Sequence, residues 1–136
     1  MINPRSIIKA RRFGVVRYAM TSEPTQDLKL VLSQFGLKAD PSLLVAHDTE
    51  SAYAILVSLL WKDMAYEDEC MPQTQAQAFA QQVFAEHATL GSKYYSNGNV
   101  AKGESWNPLT ESTFDAGLII TSDDNLYFCI WFQDED

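Results

Sequence analysis

The stretch from Thr113 to Asp136 constrains this chain more than any other. Two apolar runs, Thr113–Thr121 and Leu126–Phe132, flank the polar cluster Ser122-Asp123-Asp124-Asn125. Apolar runs joined by a short polar cluster predict a β-hairpin. The second run is apolar at every position. A strand with one wet face would alternate, so this strand is expected to be covered on both faces. One cover is the domain's own core. The other is more of the same chain or a partner. Beyond it come Gln133 and three acids, Asp134, Glu135 and Asp136.

A chain of 136 residues suits one domain, residues 1–136, with a sizeable core. Hydrophobic residues make up 46% and charged residues 21%, which argues against disorder. The net charge is −8. It argues against nucleic acid or an anionic membrane as partner, since both attract Lys and Arg. It suits a basic partner, or solubility alone. The charge is uneven: residues 1–20 hold Arg5, Lys9, Arg11, Arg12 and Arg17 and no acid. The apolar residues among those bases favour docking onto the acidic body over a free tether. Cys70 and Cys129 lack the spacing of a disulfide framework, and Cys129 reads as a buried hydrophobe. No signal peptide or membrane-length apolar run is visible, so a cytoplasmic protein is expected.

Asn3-Pro4 predicts a capped short helix to about Arg12, and Gly14 with two valines leans the next segment towards strand. Leu28, Val31, Leu32 and Phe35 fall at helical spacing, with Gly36 as the stop. Asp40-Pro41 suggests a single turn. Residues 50–64 carry two apolar stripes, which marks the central core helix. Residues 73–90 predict a third main helix, ended by Gly91. Residues 92–112 show no periodicity, although Asn97-Gly98 is compatible with a second hairpin turn. The expected fold is α+β: three main helices packed on a small antiparallel sheet that includes the C-terminal β-hairpin.

Catalytic chemistry finds no motif. Cys70 and His87 are the one conceivable nucleophile–base pair, and the acids beside Cys70 oppose a thiolate. The acidic clusters match neither the order nor the glycine of a calcium loop, and nothing fits zinc. No glycine-rich phosphate loop is present. The expectation is no catalytic residue, no metal and no cofactor. What remains is a recognition surface of aromatics ringed by acids, in which aromatics supply contact area and acids supply steering. The candidate positions are Glu67, Asp68, Glu69, Tyr94, Tyr95, Trp106, Asp123, Asp124, Asp134, Glu135 and Asp136.

Three segments carry a family likeness: Trp106-Asn107-Pro108-Leu109-Thr110, then Thr113 to Ile120, then Ile130-Trp131-Phe132-Gln133-Asp134-Glu135-Asp136. Together they resemble the ending of small bacterial immunity proteins that accompany polymorphic toxins, including contact-dependent growth-inhibition systems. The likeness covers residues 106–136 and implies a cytosolic protein that binds and blocks one cognate toxin domain. Many such toxins are basic nucleases, which an acidic inhibitor would suit. The family shares no catalytic residues and its contact positions vary, so the likeness assigns none here. Two alternatives stand beside it: a small cytosolic enzyme using Cys70, His87 or an acidic pair, and a nucleic-acid mimic aimed at another nucleic-acid-binding protein.

Overall fold

The computed structural model describes residues 3–135. It is α+β, with four α-helices and a five-stranded antiparallel sheet among the described residues. The helices are α1 (Pro4–Ala10), α2 (Leu28–Gln34), α3 (Thr49–Trp61) and α4 (Gln73–His87). The strands are β1 (Val15–Ser22), β2 (Val45–His47), β3 (Tyr94–Ser96), β4 (Phe114–Ser122) and β5 (Leu126–Asp134), in spatial order β1-β5-β4-β3-β2. The three main helices expected correspond to α2, α3 and α4, and the expected short N-terminal helix is the fourth, α1, ending at Ala10.

Local chemistry explains most boundaries. Asn3, Asp27 and Asp48 each cap a helix by accepting a backbone N–H, from Arg5, Lys29 and Ser51 respectively. At the end of α2, Gly36 takes the left-handed conformation at φ +71°. Its N–H donates to Ser33 and that of Leu37 to Leu32, the paired bonds of a Schellman stop. Leu37 and Leu32 then share one buried cluster, so the stop also packs. Helix α4 ends earlier than its sequence suggests. Ala88 is already extended, and Leu90, the last residue of the expected helix, is fully exposed.

β4 and β5 pair from Phe114↔Asp134 to Ser122↔Leu126 around the turn Asp123–Asn125. β5 is covered on both faces, as its unbroken apolar run requires. Phe128, Ile130 and Phe132 meet α1, α3 and α4 in the larger core. Tyr127, Cys129 and Trp131 meet α2 and the loops around Leu37 and Leu109 in a second cluster. The second cover is therefore this chain itself, and Trp131 is wholly core.

Residues 92–112 are better ordered than their lack of periodicity implies. They contain β3, which pairs with both β2 and β4 and so is not an edge strand. The buried carboxylate of Asp115 gathers the remainder. It accepts from the N–H groups of Leu109 and Thr110, from Asn97 Nδ2 and from the Trp131 indole. Asn97 also exchanges backbone and side-chain bonds with Asn107, and a β-bridge joins Gly98 to Trp106. In place of the second hairpin with which Asn97-Gly98 was compatible there is one isolated bridge, which sets the position of Trp106.

Candidate functional site

The site is built around the connection from α3 to α4. Trp61 O accepts from Cys70 N, Asp63 N donates to Asp68 O, and Lys62 bridges to Glu69, closing residues 62–70 into a loop. Asp63, itself buried, accepts the N–H groups of Tyr66 and Asp68. Its carboxylate folds the loop so that Tyr66, Glu67, Asp68 and Glu69 all face solvent. Glu67 adopts φ +57° at the bend.

A buried ion pair fastens this loop to the sheet. Arg11 Nη1 and Nη2 donate to the two Asp134 carboxylate oxygens at 2.8 and 2.9 Å. Arg11 also donates to Leu59 O at 2.8 Å, and Asp134 accepts the Met64 N–H at 2.9 Å. The two charges therefore join α1's exit, the end of α3, the loop and β5 in one network. Gly14, at φ +74°, is required here: a Cβ would lie 2.0 Å from Asp134 Oδ1. The basic N-terminal segment docks internally through Arg11.

This network corrects one expectation: Asp134 is 1% exposed and internally paired, so it is not a rim acid. Tyr94 is corrected too. It is 3% exposed, stacked on Phe84 in the core. Tyr95 is half-buried on the opposite face, with the second cluster. Asp123 and Asp124 are exposed, but they sit at the far end of the hairpin. Nine-residue strands place them about 25–30 Å from Glu135 at ~3.3 Å per residue. Asp136 lies outside the described residues.

Glu67, Asp68, Glu69, Trp106 and Glu135 remain, and they share one surface. The loop forms a ridge between two clefts, with Asp63 lining both. One cleft, of about 380 Å³, is lined by Trp61, Lys62, Met64, Glu67, Val100, Glu104 and Trp106 among others. Trp106 in its lining is held by the bridge to Gly98 and packs on Phe114 at 5.7 Å. The other cleft, of about 460 Å³, is lined by Phe13, Val15, Tyr66, Asp68 and Glu135 among others. Glu135 accepts from Thr113 Oγ1 and N–H, and those bonds hold its carboxyl below the usual carboxylate value. Tyr66 is 64% exposed and Phe13 44%, so apolar area is open here as well.

Sequence reasoning missed Phe13, Trp61, Tyr66 and Glu104. Trp61 lay within an apolar stripe and read as core. Tyr66, standing alone between acids, was the available signal for an exposed aromatic.

Cys70 and His87 are engaged in separate places. Burial raises the Cys70 thiol pKa, with Asp134 and Asp63 adding to the rise against Arg11. His87 stacks on Phe128 at 3.9 Å and shares a hydrogen bond with Tyr18 OH. Among the described residues no three metal-ligating side chains gather, and no helix is long and apolar enough to cross a membrane. No family model, curated protein or solved structure matches the chain.

Proposed function

We propose that this chain is an immunity protein that binds a cognate toxin domain in the bacterial cytoplasm and occludes its active site, the toxin being a basic nuclease. The observation that carries the reading is the ridge. The clefts beside it set Glu67, Asp68, Glu104 and Glu135 among Phe13, Tyr66, Trp61 and Trp106, and Glu69 on the ridge accepts from the Trp61 indole. A nuclease cleft must be positive to hold phosphates. A rigid surface presenting carboxylates at comparable spacing competes for it, and adjacent aromatics supply desolvated contact. The net charge of −8 gives long-range steering towards such a partner. The likeness of residues 106–136 to immunity proteins supports the same reading. Most of those residues build β4, β5 and the Trp106 bridge, so the likeness concerns the frame.

The test is genetic and binary. A toxin domain encoded immediately upstream should arrest growth when expressed alone, and co-expression of this chain should restore growth. The purified pair should form a 1:1 complex that lacks nuclease activity. Growth arrest unrelieved by this chain, with both proteins soluble, overturns the proposal.

A further inference from the structure

The cleft between Trp61 and Trp106 has a chemistry of its own. Two half-buried indoles line it, with Asp63, Glu67 and Glu104 against one base, Lys62. Among the described residues Glu67 and Glu104 make no ion pair, since Arg11–Asp134 accounts for the salt bridging. The indole edge of Trp61 is fixed: its Nε1 donates to Glu69 Oε2 at 2.7 Å. A face of its ring already holds a cation. Lys62 Nζ stands 4.2 Å from the Trp61 ring centroid. An indole face is the strongest aromatic seat for a cation, and unpaired carboxylates beside it add charge and hydrogen-bond acceptors.

We infer that this cleft is a specific seat for one arginine side chain of the partner protein, with Lys62 as the internal occupant that the arginine displaces. Arginine fits better than lysine. Its planar guanidinium stacks on an indole while donating in-plane to carboxylates, and it sheds water more easily than an ammonium. The Glu67 and Glu104 carboxylates on the cleft walls supply the in-plane acceptors. The inference rests on the proposed function only for the source of the arginine.

The experiment follows indole N–H signals of the full chain by NMR during titration with the capped peptide acetyl-Gly-Arg-Gly-amide. Trp131, buried against Asp115, is the internal reference. The Trp61 and Trp106 signals should shift saturably while Trp131 stays put. The norleucine analogue should produce no saturable shift, and the lysine analogue should bind more weakly. Glu67→Gln with Glu104→Gln should weaken binding and flatten its salt dependence. Lys62→Gln, which vacates the ring face, should tighten it by about two- to five-fold, the range of one exposed cation–π contact. Absence of saturation, equal binding of the norleucine or lysine peptide, or weaker binding by Lys62→Gln overturns the arginine seat. Peptide failure with intact toxin neutralisation refutes the seat alone. Failure of growth rescue refutes the proposed function whatever the peptide does.

Discussion

The two ends of the β4–β5 hairpin both carry acids, and they are built differently. At the Asp134 end, one carboxylate is buried to hold a loop, and the loop then displays Glu67, Asp68 and Glu69 in fixed positions. At the turn end, Asp123 and Asp124 project from three residues of which two, Asp124 and Asn125, have positive φ. Among the described residues the Asp123 and Asp124 side chains make no hydrogen bond, and the turn is tied to the body only through Asn125, which accepts from Glu23 N–H and Gln26 Nε2. A run of acids in sequence is therefore not a surface. What separates the two ends is whether a buried partner fixes the display.

The largest effect should come from breaking the frame at the first end. Asp134→Asn leaves Arg11 buried beside a neutral amide, and loss of one partner of a buried pair costs about 3–5 kcal/mol. Urea denaturation should show that loss, and an unchanged midpoint would mean that the pair does not frame the ridge. Leu59→Ala should cost about 2–5 kcal/mol, because its side chain is buried in the larger core, while the backbone carbonyl that receives Arg11 is kept. Since the whole core depends on α3, its cost should appear as lower stability with partner affinity kept below the transition.

A smaller effect should appear near the other end as a pH dependence. His87 packs on Phe128 near the start of β5, and burial lowers its pKa against the opposing pull of Glu86. A lowered folded-state pKa means that the unfolded chain takes the proton first. Stability is then complete above the ordinary imidazole pKa of ~6.5 and falls as pH drops below it. His87→Phe should flatten that decline between neutral and mildly acid pH in thermal melts. An identical decline in the variant would place the titration elsewhere. The smallest effect belongs to the turn: Asp124→Gly suits φ +61° and should change stability by at most about 1 kcal/mol.

The hairpin, the double cover of β5, the central core helix and the Gly36 stop were legible because each depends on local pattern. β2 was not: three residues give no periodicity, and the strand exists through its pairing with β3. Tyr94 and Asp134 were misplaced for a related reason. Composition assigns a tyrosine in a polar loop and an acid near the chain's last residues to the surface. Only the fold brings Phe84 and Arg11 against them. The ridge was half legible. Its acids stood out as a run, but the aromatics that give it relief come from α3, the loop after α1 and the bridge at Gly98. No single window of sequence holds that assembly.

The central claim is that recognition belongs to the framed ridge rather than to the acid-bearing turn. The direct measurement is association and dissociation with the proposed toxin partner at low and high salt, comparing two variants. One carries Glu67→Gln, Asp68→Asn and Glu69→Gln; the other carries Asp123→Asn and Asp124→Asn. The ridge variant should associate at least about tenfold more slowly at low salt and lose most of its salt dependence, as removal of steering charges requires. The turn variant should match the parent at both salts. Slowed association by the turn variant with an unchanged ridge variant would contradict the account.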